Sequence, residues 1–314
     1  MRKSSLDAVF QLAQQDERVI FLGSDLGVGT LQAFRDTFPE RFFMEGIAEQ
    51  NLIGMAAGLA MEGFIPYVNT IASFLTRRCL EQITIDVCLH HLPVRLIGNG
   101  GGLVYAPLGP THLATDDLAL MRAQPHMTVL APCDALQMRA CMAQTLHHPG
   151  PIYIRLAKGG DRVVFPETMP VTLGQGITLR PGDQALLITT GVMAQRALEA
   201  ALILEQHHIS CGVAHLHTVK PLDDTLICNA ARTFPLLVTL EEHSLVGGLG
   251  SAVAERLADQ GPYPGPRLLR LGLPDCFPHH YGSQEAHLAA LGLDAESIAR
   301  RVALALDTGI GSQP

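Results

Sequence analysis

The runs "RVIFLGSD", "IPYVNT", "LPVRLIGN", "MTVLAP" and "PIYIRL" are short, apolar and rich in β-branched residues, with no polar alternate face. A strand of that kind is stable only when both of its faces are buried, the condition of a parallel sheet sandwiched between helices. Between the runs lie "SLDAVFQLAQQ", "EGIAEQNLIGMAAGLAMEGF", "SFLTRRCLEQITIDVCLHH" and "DALQMRACMAQTLHH", with apolar residues at helical spacing. After "LAKGGDRVVFPETMPVTLGQGITLRPGDQ", whose Pro and Gly content reads as a connector, the rhythm restarts. Strand "ALLITTG", helix "VMAQRALEAALILEQHH", strands "CGVAHLHTV" and "LLVTLEEHS", helix "GSAVAERLADQ" and strand "RLLRLGL" follow. The pattern predicts an α/β protein of two doubly wound domains, residues 1–165 and 175–314.

Composition narrows the partners. A net charge of −8 over 314 residues gives no domain-wide basic surface for nucleic acid, so small molecules or proteins are the expected ligands. The 7 cysteines are odd in number, scattered and without a C-x-x-C pair, as expected of reduced thiols in a cytoplasmic protein. The opening "MRKSSLDAVFQLAQQDERV" lacks the apolar stretch of a signal peptide, and no uninterrupted apolar run approaches the ~20 residues of a membrane span. None of the histidine pairs His90/His91, His147/His148, His207/His208 and His279/His280 has acidic or thiol companions at ligand spacing, so no metal site is expected.

Glu49 opens a stretch that is otherwise small and apolar, and reads as a helix buried on most faces. A carboxylate there is costly unless something pairs with it or uses it. The stretch "FMEGIAEQNLIGMAAGLAMEGFIPYVNT" resembles the pyrimidine-binding domain of transketolase-type thiamine diphosphate enzymes. The motifs "SFLTRRCLEQI", "GPTHLATDDLALMRAQPHMTVLAPCD" and "GPIYIRLAKG" follow in that family's order. "TVKPLD", "EEHSLVGGLGSAVAE" and "GLPDCFPHHYGSQE" resemble its C-terminal domain, so the likeness covers practically the whole chain.

The resemblance implies that Glu49 hydrogen-bonds a ring nitrogen of the cofactor's aminopyrimidine, whose exocyclic nitrogen takes the thiazolium proton. A semi-buried carboxyl at a helix N-terminus suits that task, since burial and the helix dipole tune it in opposite directions. It also suits a plain capping or dipole contact. Phe74 matches the aromatic stacked on the pyrimidine, and Ile71 stands where many relatives carry a second aromatic. Arg77, three residues after Phe74 and on the same face of a regular helix, reaches either the mouth of the site or the surface. Asp25, at a strand end in "LGSDLG", matches an acidic residue near the cofactor, although Asp in a Gly-rich turn is common for conformational reasons. His112 in "GPTHLA" matches the histidine that faces the substrate. Arg2, Arg155 and Lys158 match substrate or phosphate contacts, with Lys158 replacing an Arg and giving up bidentate geometry.

Two positions depart from the family. Its second active-site histidine is replaced by "GNGGGLVYAP", and Leu108 stands where an acidic residue precedes "GPTH". Both groups recognise sugar hydroxyls, so an unusual ketose or acceptor is expected, with Tyr105 lining the altered pocket. The family's diphosphate- and Mg²⁺-binding segment has no counterpart here. The resemblance is therefore to the small subunit of a split transketolase, working with a large subunit that ligates Mg²⁺, as an α₂β₂ assembly that moves a ketol unit between sugars. An E1 β-type subunit of a 2-oxoacid dehydrogenase, a deoxyxylulose-phosphate synthase-like enzyme and a non-catalytic partner of the same fold are the other readings.

Overall fold

The computed structural model describes residues 1–24, 31–157, 159–167, 169–260 and 264–306. The first domain is built on β1 (Val19–Ser24), β2 (Phe42–Glu45), β3 (Ile65–Ile71), β4 (Arg95–Asn99), β5 (Thr128–Leu130) and β6 (Ile152–Leu156). The second contains β7 (Ile177–Arg180), β8 (Ala185–Thr189), β9 (Cys211–His215), β10 (Thr218–Lys220), β11 (Leu236–Ser244) and β12 (Arg267–Leu273). One sheet runs β10-β5-β6-β4-β3-β1-β2 and the other β12-β11-β8-β9-β7. Pairing is parallel except where β10 meets β5 and β7 meets β9.

The predicted two-faced burial is what the first sheet shows. Successive residues of a strand point to opposite faces, so Leu96 joins one core with Leu22, Leu52, Ile53 and Val68. Ile97 joins the other, with Val9, Leu12, Phe21 and Phe34. The helices Glu49–Met61 and Arg2–Gln15 thus cover opposite faces of the same sheet. Among the described residues no helix is long and apolar enough to cross a membrane. Cys79, Cys88, Cys133, Cys141 and Cys211 are buried free thiols, and burial pushes each of them up, Cys79 to about 12 and Cys88 to about 11.

Three departures from the sequence reading share one cause, which is that an edge strand exists only through its neighbour. β2, "FFME", was not expected, and it pairs with β1 on the sheet margin. β7 lies inside the stretch read as a connector and pairs with β9. "CGVAHLHTV" reads as one strand but is two: β9 stays in the second sheet, while β10 crosses over and covers the outer edge of β5 in the first. The backbone N–H of Ala131 donates to the carbonyl of His217 at 2.8 Å, continuing that seam. "SFLTRRCLEQITIDVCLHH" is not a uniform helix either. It winds as a π turn (Phe74–Arg78), a single α turn (Leu80–Gln82) and a second π segment (Ile83–Cys88).

The connector is tied down rather than loose. Asp134 is fully buried; Oδ1 accepts from the N–H groups of Leu136 and Gln137 at the start of the helix Ala135–Thr145, both at 2.9 Å. Oδ2 accepts from Val164 and Phe165 of the connector, both at 2.7 Å. Each buried donor left unsatisfied costs about 1–3 kcal/mol. Asp134→Ala should therefore destabilise the chain by at least about 2 kcal/mol, seen as a lower urea midpoint, and should open the connector to limited proteolysis in otherwise native buffer.

Candidate active site

The parallel strands of the first sheet end along one edge, the place where open α/β sheets gather ligands. Ser24 ends β1, Glu49 follows β2 by a short turn, Ile71 ends β3 and the glycine run 100–102 follows β4. Glu49 is 5% exposed yet sits on the rim of an open cavity of about 440 Å³ lined by Ile47, Ala48, Gln50, Asn51 and Arg78. Among the described residues its carboxylate has two partners: Oε1 accepts from the Ser24 hydroxyl at 3.4 Å, and Oε2 from Arg78 Nη1 at 3.1 Å.

Arg78 is the residue the sequence reading missed. Its guanidinium carbon lies 3.8 Å from the centre of the Phe74 ring, so one planar cation bridges Glu49 and Phe74. Phe74 also meets the His112 imidazole, with centroids 5.1 Å apart and planes at 59°. His112 is held by its carbonyl, which accepts from Ser73 Oγ at 3.3 Å, and by a 2.9 Å hydrogen bond between Nδ1 and the Thr111 hydroxyl. Glu49, Phe74 and His112 thus form one continuous constellation, with Ile71 at the end of the neighbouring strand.

Arg77 does not join it. The wider i→i+5 winding of a π turn brings the residue four positions on, not three, over Phe74. Arg77 turns away to pair with Asp116, with Nη2–Oδ1 at 2.7 Å and Nε–Oδ2 at 2.9 Å. Arg2 opens the helix on the other face of the sheet, beside Met1, whose ammonium lies 3.6 Å from Asp161. Tyr105 lies flat against Gly100, where a Cβ would meet the ring at 2.1 Å, and packs on the core beneath. Asp25 and Lys158 lie outside the described residues.

Arg155 is turned inward. It is 6% exposed and spends its donors inside the protein: Nε on Asp117 Oδ2 at 2.8 Å, and Nη2 on the carbonyls of Ala114 at 3.1 Å and Glu242 at 2.9 Å. Asp117 is fully buried and also accepts from the Tyr153 hydroxyl at 2.7 Å. Through Nε and Nη2 the guanidinium neutralises a buried carboxylate and joins the two domains.

Comparison with known proteins gives this arrangement a family. Residues 1–160 match the model of the transketolase pyrimidine binding domain, and residues 174–298 that of the transketolase C-terminal domain. This chain belongs to the transketolase family. It is 37% identical over 301 residues to the 6-deoxy-6-sulfo-D-fructose transketolase subunit SqwH of Clostridium sp. (strain MSTE9), covering 96% of this chain and 92% of that one. It is 40% identical over 296 residues to 1-deoxy-D-xylulose-5-phosphate synthase 1 of Geobacter sulfurreducens, but spans only 46% of that protein's length. Among solved structures, a split-gene transketolase described as an inactive β4 tetramer superposes with a TM-score of 0.88 at 38% identity, covering 98% of this chain and 97% of the other. This transketolase chain thus covers nearly the whole of those two relatives but about half of the synthase.

Removing one partner from a buried ion pair costs about 3–5 kcal/mol, because the other charge is stranded. Arg155→Met should destabilise this transketolase chain by about that much, whereas Arg77→Ala, which breaks an exposed pair, should cost about 1 kcal/mol or less. Urea unfolding of the two variants side by side checks both.

Proposed function

We propose that this chain is the small subunit of a two-subunit, thiamine diphosphate-dependent transketolase that moves a two-carbon ketol unit from a ketose to an aldehyde. The observation that carries the reading is the bridging position of Arg78. A flat group that donates a hydrogen bond to Glu49 and lies on Phe74 is already accommodated there, and an aminopyrimidine has the same flatness, with a ring nitrogen that donates to a carboxylate once a proton is on it. The residues therefore fit the cofactor, provided that the Arg78 side chain moves aside. Thiamine diphosphate supplies the carbanion-stabilising chemistry when bound. The chain's own contribution is to hold a ring on Phe74, to hold or release a proton at the Glu49 carboxylate beside it, and to present His112 to substrate oxygens.

The large subunit is assigned the diphosphate and Mg²⁺, and the assembly is taken as α₂β₂. Support for a partner comes from the helix Glu49–Met61. It was expected to be buried on most faces, yet Gln50, Asn51, Gly54, Gly58 and Met61 are exposed, and no atom would touch a Cβ at either glycine. Ile47, Ile85 and Leu89 are exposed as well. Gly costs about 1 kcal/mol relative to Ala in a helix, a cost offset if another backbone approaches closely. The donor is taken as a ketose with an anionic terminus, phosphate or the sulfonate in the name of the SqwH relative.

Co-purification with a neighbouring large subunit, followed by turnover assays with phosphorylated and sulfonated ketoses, tests the assignment; a cofactor-loaded complex that turns over no ketose would sink it. Glu49→Gln should keep the wild-type melting temperature and lose on the order of 10²–10⁴-fold in turnover, the usual weight of a general acid–base group. Arg78→Ala should bind cofactor in the complex at least as tightly as wild type, because no guanidinium competes for Phe74 and Glu49. Titration calorimetry reads this directly, and weaker binding would make Arg78 a cofactor ligand instead.

A further inference from the structure

The glycine run that replaces the family's second histidine has a use of its own. Each glycine is covered by a different side chain. A Cβ at Gly100 would strike the Tyr105 ring at 2.1 Å, one at Gly101 the Arg155 side chain at 2.3 Å, and one at Gly102 the Glu242 carboxyl carbon at 2.7 Å. Gly102 also has φ +68°, a conformation that favours glycine. The run therefore lets two groups of the domain junction, Arg155 and Glu242, come close to the backbone of the loop that leads to His112.

Glu242 grips that loop directly. Its Oε1 accepts from the backbone N–H of Leu103 at 2.6 Å, and both carboxylate oxygens accept from Gln284 Nε2 at 2.9 Å. Gly102 is bridged through its backbone to Ala114, with N–H···O=C distances of 2.8 and 3.1 Å in the two directions. Ala114 lies two residues beyond His112, and its carbonyl also takes a hydrogen bond from Arg155. The second domain holds the loop at another point, where the Ser244 N–H donates to the Thr115 carbonyl at 2.8 Å. On the preceding residue of β11, Glu241 points the other way and receives the N–H groups of Leu249 and Gly250 at a helix start, so the two adjacent carboxylates have separate tasks.

We propose that Glu242 is a positioning residue for the substrate-facing side of the site: from the second domain its carboxylate holds the base of the 100–114 loop and so sets where His112 stands. The consequence for substrate rests on the transketolase reading above; the hold on the loop does not. The charged groups facing Glu242 are Arg155 from β6 and Asp117 from the helix Asp117–Ala123. Burial is the largest influence and pushes its carboxyl up to about 7, against the opposing pull of Arg155 and of the hydrogen bonds from Leu103 and Gln284. Two opposite pH trends follow. The folded pKa lies above the ordinary 4.5, so the stability linked to this group is fully present below 4.5 and is lost as pH rises through about 7. The grip on the loop strengthens over the same range, because the Leu103 N–H bond to an ionised carboxylate is charge-assisted and stronger than the same bond to a neutral acid.

The test is hydrogen exchange on the full chain, with protection at 100–105 corrected for intrinsic rates, at pH 5.5 and 8.5, in wild type and Glu242→Gln. Wild type should gain roughly tenfold in protection at the higher pH, the equivalent of one hydrogen bond to a charged group, while E242Q should show no pH dependence. The urea midpoint of wild type relative to E242Q should fall over the same interval. In the complex, E242Q should raise KM for the ketose more than it lowers kcat. Flat protection in wild type, or equal protection in the two proteins, overturns the proposal. Should E242Q fail to fold, Gln284→Ala reads the same contact: lower protection at 100–105 is expected, and unchanged protection overturns it. Exchange requires no turnover, so an inactive complex with pH-dependent protection counts against the transketolase reading alone.

Discussion

The Arg155 guanidinium is the point on which the two domains and the loop before His112 depend together. It comes from the end of a central strand of the first sheet and reaches a buried carboxylate, Asp117, a loop carbonyl, Ala114, and a carbonyl of the second domain, Glu242. A buried charge is costly unless paired, and Arg155 Nε and Asp117 Oδ2 pair at 2.8 Å, so neither can shift without stranding the other. The loop before His112 is therefore shaped at the junction between domains, while the surroundings of Glu49 and Phe74, the side proposed for the cofactor, come from the first domain.

How much of this was legible in the sequence follows from how local each signal is. β1, β3, β4, β5 and β6 were readable because strands buried on both faces carry continuous apolar runs whatever pairs with them. β2, β7 and β10 were not, since their assignment depends on which distant edge needs covering. Asp134 shows the same limit: nothing in "PCDALQ" announces that its second oxygen will fasten Val164 and Phe165. A Pro- and Gly-rich stretch held in this way still reads as a loose connector.

At the site, Glu49, Phe74 and His112 were found through motif order, and the structure draws the three together. Arg78 was not found because the choice between two adjacent arginines turns on helix winding, and regular α geometry points to Arg77. The inward course of Arg155 was not legible either: its place at a strand end beside "AKG" suggests a substrate contact, whereas Asp117, far away in sequence, supplies the countercharge that draws Nε inward. The glycine run looked like a simple loss of a family histidine, and only the packing of Tyr105, Arg155 and Glu242 against it reveals the close approaches that require glycine.

The crossing of β10 into the first sheet has a consequence for how the chain is made. β5 pairs with β6 on one side and with β10 on the other. As the polypeptide leaves the ribosome, every strand native to the first domain has emerged by Leu156, yet the outer edge of β5 stays uncovered until Lys220 follows. An unpaired strand edge is a template for other chains, and N-terminal domains generally fold first during synthesis. A first domain that folds during synthesis therefore does so with one sheet margin open, and that margin is closed by β10, which the second half of the chain supplies.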